Sequence, residues 1–537
     1  MKKQNFLKGS LILMLSAAAA KVLGALFKIP LTNILGGVGM SYFSCAYSLF
    51  MPIYALTVTG ISSAAARLTA QSAALGMYEN ARRVRCTALL VFSAAGLAGS
   101  GAVLLMAQPF CKYAASCPEA VTAVIMIAPA VFFGCITAVE RGYYEGLSNM
   151  YPTAFSQLAE GVVKLCAGLY LCGWVNENQE KVLEYFPSGT DIRAVSAAAG
   201  ILGVTLSSVG AVLVLWIMRL CDRRHRDGDK TLMPCRDISR ELIRTALPTG
   251  IGAVVTNLTA LIDMGTVIGC IAYFGSRTPV PEGIHPEDMP HFVYGSFSGI
   301  ALTVFNLVPS VTNMLGRGIL PSVTAAWQNN DRSALRREAH QALVTAAIIA
   351  VPAAAGLMSL SGEVLHFLFP RQPDEVELCI RPLQYLMPGM VCLCVAYPLF
   401  SMLQAIGKAS QPLKIMLIGA VVKLAGNLLL IPSLGADGAA LSTTVCYIVI
   451  LAASLRSFVR SSGTPLFFQP FASVLYAGAM CGGTAYLVSD ILENSGAAGF
   501  TVLAVSAAAG AMVYFLLIGM LRESIFPQSS ANRRAVS

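Results

Sequence analysis

Apolar runs of about 20 residues recur along the chain, separated by short polar or basic segments, and each is long enough to cross a hydrocarbon core of about 30 Å as a helix. The pattern predicts 14 membrane-spanning helices, over residues 7–29, 41–62, 87–109, 121–140, 153–173, 194–218, 245–271, 293–315, 341–362, 383–404, 412–432, 435–455, 471–489 and 498–521. The first run breaks its own pattern. Its stretch LILMLSAAAAKVLGALFKIPLTNILGG, residues 11–37, sets Lys21 and Lys28 among apolar residues. A charged side chain near the bilayer centre costs at least about 2.5–3.5 kcal/mol on insertion scales, so it faces a hydrated cavity or a partner. The two lysines are nearly two helical turns apart, which puts both ammoniums on one face, about 10 Å from each other along the axis.

Composition generalises the reading. Of the 537 residues 56% are hydrophobic and 12% charged, with a mean hydropathy of +0.67, beyond the range of soluble domains. The chain reads as an all-α integral membrane protein. Its basic residues cluster in alternate loops, as in ARRVR (81–85), RLCDRRHRDGDK (219–230) and RSALRRE (332–338), whereas NENQEKVLE (176–184) and PEGIHPED (281–288) are acidic. Lys and Arg are retained in the cytoplasm, so this alternation places the N-terminus inside. The start resembles a signal peptide, but its apolar run continues past Lys21 to Ile29, and removing it would invert the alternation, so it reads as an uncleaved span. The net charge of +9 is then a topology signal and implies no nucleic-acid partner.

Several chemistries are absent from the pattern. There is no Walker loop, dinucleotide fingerprint or zinc motif, and the five histidines form no cluster, so no cofactor or catalytic group is expected. GGVGM at 36–40 reads as a turn rather than a phosphate loop, because no strand precedes it. The 15 cysteines lie scattered in apolar segments and read as small core residues; Cys111 and Cys117 share an outer loop, where an oxidising exterior would allow pairing, and the sequence leaves their oxidation state open.

The chain also repeats itself. VVKLCAGLYL (162–171) answers VVKLAGNLLL (421–430), each following a proline at the start of its span, Pro152 and Pro412. GISSAAARL with ENARR (60–83) is a weaker echo of GILPSVTAAW with SALRR (318–337). Duplicated bundles with a substrate between them are a transporter architecture. The expected organisation is two pseudo-symmetric six-helix bundles, 1–230 and 231–460, with two additional helices in 461–537.

KVLGALFKIPLTNILGGVGM, the GIS…ARL at the end of the second span, and RGYYEGLSNMYPTAFSQLAEGVVKL (141–165) together resemble the stage V sporulation protein B group of polysaccharide-biosynthesis membrane proteins. That group sits in the exporter superfamily that also holds the MurJ-like lipid II flippases and the MATE drug antiporters. The resemblance covers nearly the whole chain. It implies a V-shaped pair of bundles in the bacterial cytoplasmic membrane, moving a polyprenyl-linked sugar such as lipid II from the inner leaflet to the outer. Implied partners are that lipid-linked oligosaccharide, membrane lipids, a coupling ion (sodium or proton) and cell-wall synthesis proteins. Lipid II flippases carry basic residues at the places matching KVLGALFK, which assigns Lys21 and Lys28 to a diphosphate headgroup. Outside this helix not all the expected basic positions are matched, so the lipid substrate stays open.

Lys164 and Lys423 are repeat partners near the middle of their spans. Glu160 precedes Lys164 in the favourable i,i+4 order for an ion pair, whereas the equivalent position before Lys423 is Gly419. Lys423 therefore reads as the stronger cavity residue, with Asp263 of the seventh span as its counter-ion or as a coupling site. Arg67 and Arg317 end their spans near the cytoplasmic face, placed to gather an anionic headgroup or to anchor the interface. Snorkelling to the interface is a second reading for Lys28. Pro309 and Pro321 bracket part of the eighth span as a candidate hinge. Two other readings of the chain are a cation-coupled drug antiporter, which calls for an acidic, aromatic-lined cavity, and a scaffold for a cell-wall synthase.

Overall fold

The computed structural model describes residues 6–187, 190–220, 233–275, 281, 284–464, 469–497 and 499–521. Among them every regular element is helical, as hydrocarbon demands of segments that must satisfy their own backbone polar groups. Twelve helices are long and apolar enough to cross a membrane, and a pair bent by 46°, 286–305 with 307–328, supplies one more when counted as a single span.

The first of the twelve runs 60 residues, from Leu15 to Ala74. It holds two crossings, because the backbone breaks at Gly36 (φ 66°, ψ −177°), a conformation that glycine adopts without a Cβ penalty. Residues 27 and 43 would lie about 24 Å apart along one continuous helix. Instead the rings of Phe27 and Phe43 stand 6.2 Å apart, so the chain folds back as a hairpin. The turn read at GGVGM is this reversal, and with it, and with the bent pair taken as one span, the described residues hold up to 14 crossings.

Helix packing divides the chain into two compact units, residues 1–269 and 270–537. The first contains α1 (Phe6–Tyr54), α2 (Gly60–Ala74), α3 (Tyr78–Pro109), α4 (Val121–Gly146), α5 (Tyr151–Glu177), the short α6 (Gln179–Leu183), α7 (Ile192–Leu220) and most of α8 (Cys235–Phe274). The division lies later than the boundary expected near residue 230, and packing explains why. Ile238, Leu242 and Ala246, from the first half of α8, are buried with Ile61, Leu68, Val84 and Val139 of α2, α3 and α4. Elsewhere in this unit glycines set the spacing. A Cβ at Gly203 of α7 would come within 2.2 Å of the Gly168 Cα in α5, and one at Gly168 would meet the Phe27 ring at 2.6 Å. Such small-residue crossings let membrane helices approach backbone to backbone.

The second unit contains α9 (Met289–Ser296), α10 (Leu302–Phe305), α11 (Leu307–Gln328), α12 (Arg332–Ser359), α13 (Ser361–Leu368), α14 (Pro373–Ala405), α15 (Ser410–Leu434), α16 (Ala436–Ser462), α17 (Gln469–Asn494) and α18 (Gly499–Met520). Its centre is α14, which buries Leu383, Leu386, Met390, Leu393 and Leu399 and packs against α11, α12 and α16. The two additional helices attach at one side, α17 on α12 and α18 on α17. The bend in this unit falls at Asn306, ahead of Pro309. At the start of α12 the Asp331 carboxylate accepts from the Ser333 and Ala334 amides, capping two orphan donors.

Two predictions follow from these contacts. Gly168→Ala should lower stability by about 1–3 kcal/mol by overpacking, whereas Gly173→Ala on the same helix, where a Cβ meets nothing, should not. Thermal unfolding of the two variants in detergent checks this. The Ala334 amide and the Ser333 hydroxyl hold the Asp331 carboxyl below its usual range. The cap's contribution is therefore present above the ordinary carboxylate pKa of about 3.9 and lost as pH falls through the depressed value. Asp331→Ala should speed amide exchange at residues 333 and 334 at neutral pH.

Candidate functional site

α5 has two dissimilar faces. Tyr151, Phe155, Val162, Cys166 and Tyr170 are exposed and apolar in character, a face suited to lipid. Thr153, Ser156, Gln157, Glu160 and Lys164 recur at three- and four-residue spacing on the opposite face and point into the first unit. Each meets a partner there, and the partners form a polar seam among α1, α4 and α5.

At one end of the seam the Lys164 ammonium donates to the Tyr47 hydroxyl at 3.1 Å and stands 4.9 Å from the Phe27 ring centroid and 5.5 Å from that of Tyr47. The two rings come from opposite limbs of the α1 hairpin, so the break at Gly36 is what allows one lysine to lie against both. Such cation–π contacts contribute about 0.5–2 kcal/mol, more as water is excluded. Lys28, next to Phe27, is half-buried and within electrostatic reach of Lys164.

One turn along, Arg141 of α4 enters the seam. Its Nη2 lies 2.8 Å from Glu160 Oε2, and its Nε donates to the Ser156 hydroxyl at 2.8 Å. The expected Glu160–Lys164 pair is thus replaced by Glu160–Arg141. The i,i+4 spacing is favourable, but a guanidinium reaching across from α4 presents a planar fork to the carboxylate that an ammonium cannot. Farther along, the Thr153 hydroxyl donates to Glu145 at 3.1 Å, and Ser16 of α1 hydrogen-bonds Gln157 at 3.2 Å. Beside the seam the rings of Phe43, Tyr47, Phe50 and Tyr54 form a column with neighbouring centroids 4.9, 6.0 and 4.9 Å apart. Gly134 admits the last ring, since a Cβ there would meet Tyr54 at 2.5 Å.

The other sequence candidates are placed differently. Lys21 is exposed on α1 and makes a polar or electrostatic contact of its own. Arg67 pairs with Glu241 of α8 at 3.2 Å, with the side chains 54% and 34% exposed, a surface contact worth little. Asp263 on α8 and Lys423 on α15, each 3% exposed, belong to different units, and each makes a polar or electrostatic contact. Lys423 is thus deeply enclosed, whereas its repeat partner Lys164 lies on a partly open seam. At Gly419, the counterpart of Glu160, a Cβ would meet Ile450 at 2.5 Å, so helix packing excludes a side chain there. Arg317 lies within α11, and its side chain falls outside the described residues. Cys111 and Cys117 are buried free thiols, not a disulfide. Among the described residues no group of three or more His, Cys, Asp or Glu is arranged to hold a metal ion.

Chemically the seam combines three cations (Lys28, Arg141, Lys164), hydroxyl and amide donors, and two carboxylates. Two ammoniums within reach of each other repel, and a multiply charged anion lying between them removes that repulsion. Glu160 is 34% exposed and Arg141 16%. Charged groups so open are costly in hydrocarbon, so the open side of the seam is the side on which water is expected.

Comparison with known proteins agrees with this architecture. The family model described as lipid II flippase MurJ matches residues 46–507. Stage V sporulation protein B of Bacillus subtilis (strain 168) is 22% identical over 524 residues, covering 97% of this chain and 96% of that protein. The lipid II flippase MurJ of the same organism is 22% identical over 476 residues, covering 86% and 83%. Among solved structures, a lipid II flippase MurJ in an inward closed conformation aligns with a TM-score of 0.65 at 15% identity, covering 96% of this chain and 99% of that one. An inward-facing MATE multidrug transporter of the MOP superfamily aligns with a TM-score of 0.66 at 15% identity, covering 84% and 98%. Identities this low speak for the fold alone, whereas the family match spans most of the sequence: the chain belongs to the lipid II flippase MurJ family.

Proposed function

We propose that this protein is a flippase that carries a polyprenyl-diphosphate-linked sugar, lipid II or a related cell-wall precursor, across the bacterial cytoplasmic membrane by alternating access. The observation that carries the proposal is the wet, cation-bearing seam along α5, where Lys164, Lys28 and Arg141 collect on one side of a membrane-embedded unit. A sugar-diphosphate head passing such a surface stays hydrated and neutralised while its isoprenoid tail remains in lipid. Lysine suits phosphate as a compact point charge, and arginine adds a directional fork. The distribution of basic loops supports an N-terminus in the cytoplasm.

Lys21 and Lys423 are assigned secondary roles, the first as an outlying contact for the anionic head and the second as part of a buried electrostatic contact in the second unit. Asp263 is assigned as a counter-ion, or as the site through which sodium or proton coupling acts. Arg67 and Arg317 are assigned to gathering the headgroup at the membrane surface. The excess of cations over carboxylates in the seam favours an anionic substrate over the cationic drugs of an antiporter.

Leaflet translocation of lipid II in proteoliposomes tests the proposal. Lys164→Ala, which removes a charge-assisted contact worth about 1.5–3 kcal/mol, should slow transport about ten- to hundredfold. Lys21→Ala should have a smaller effect, and Lys423→Ala should first lower thermal stability. Absence of transport by verified folded protein, under ion gradients and an imposed potential alike, would overturn the proposal.

A further inference from the structure

Arg141 holds its two partners unequally. Ser156, on the Nε side, is fully buried and bonded onward to the Thr153 carbonyl at 3.0 Å, so it is a fixed part of the wall. Glu160, on the Nη2 side, is the most exposed member of the pair. The other carboxylate of the seam, Glu145, is engaged by Thr153. Lys164 is satisfied by Tyr47 and two aromatic faces, with no carboxylate partner among its contacts. Of the two groups that Arg141 holds by hydrogen bonds, the Glu160 carboxylate is therefore the more readily vacated, at the open edge of the seam. Its 2.8 Å contact has the length and charge of a guanidinium–phosphate bond.

We propose that Glu160 is a built-in competitor for the substrate's diphosphate: it occupies Arg141 in the empty protein, and the incoming anion displaces it. This deepens the proposed function and rests on it. Arg141 becomes the residue that recognises a phosphoryl oxygen, and Glu160 the one that sets how firmly the head is held. A carrier must release its cargo as well as bind it, and a tethered carboxylate that reclaims the guanidinium favours release. The exchange is an exchange of ion pairs, with no covalent change. It leaves Ser156 holding Nε and Lys164 against its rings, so the guanidinium keeps its orientation as the anion is exchanged.

The test is calorimetric titration of farnesyl diphosphate, a soluble prenyl diphosphate, into the full-length protein in lipid nanodiscs. Glu160→Gln should bind about tenfold tighter than the parent, because a neutral amide competes less well for the guanidinium than a carboxylate. Arg141→Gln should bind about tenfold more weakly, and the double variant should match Arg141→Gln, since Glu160 acts through Arg141. Glu160→Asp keeps the charge but shortens the reach. It should also bind more tightly than the parent, and it reads the same effect if the glutamine variant fails to fold. A purely structural ion pair would give the opposite pattern: lower unfolding temperatures for both single variants and unchanged or weaker binding in Glu160→Gln. That pattern would overturn the competitor role. If Lys164→Ala still abolished binding, the headgroup reading of the seam would stand without it. If neither the parent nor Glu160→Gln bound farnesyl diphosphate, the anion site itself would fall and the competitor with it.

Discussion

A charge inside roughly 30 Å of hydrocarbon must keep water or a counter-charge beside it, and the first unit is arranged around that requirement. α5 divides its surface lengthwise. Tyr151, Phe155, Val162, Cys166 and Tyr170 take the apolar side, and the charged groups in the middle of the helix, Glu160 and Lys164, go to the other. On that other side each charge has a partner of defined chemistry: a carboxylate for Arg141, a hydroxyl for Glu145, aromatic faces and a phenol for Lys164. Partnering of this kind lowers the cost of carrying charge through the membrane without removing the charge. What remains on the open side of the seam is available to an anion.

The backbone makes that arrangement reachable. The reversal at Gly36 brings Phe27 and Tyr47 to the same lysine, although they lie far apart along the chain. Gly168 lets α7 approach at Gly203 and admits the Phe27 ring, and Gly134 admits Tyr54. Glycines that give neighbouring aromatics room thus fix the positions of the rings, and the rings fix the lysine. Local flexibility of the residue type becomes rigidity of the site.

Much of this was readable from residues alone, for identifiable reasons. Membrane spans announce themselves because a crossing helix must be apolar over its whole length, and the glycines at 36–40 announced the turn between the first two. Lys28 and Lys164 stood out because a charge in such a run is costly. The partners did not stand out. Glu160 sits four residues from Lys164, and local spacing favoured that pair, but Arg141 reaches the carboxylate from α4 with better geometry. Tyr47 and Phe27 look like ordinary lipid-compatible aromatics until the hairpin closes. A signal for the seam did exist in the recurrence of Thr153, Ser156, Gln157, Glu160 and Lys164 at helical spacing. Likewise Lys423 and Lys164 are repeat partners whose preceding positions differ in the sequence, and packing gives that difference its form: Gly419 lies against α16 where Glu160 faces the seam.

The claim on which the account turns is that the polar face of α5 meets water and its opposite face meets lipid. A cysteine introduced by Gln157→Cys and the native Cys166 sit on these two faces and can be compared within one molecule. In intact membranes, a charged, membrane-impermeant methanethiosulfonate should modify residue 157 and spare Cys166, with each site read by peptide mass spectrometry. Protection of residue 157 in every transport condition, with both sites reached by a membrane-permeant reagent, would mean that the seam is dry and would contradict the account.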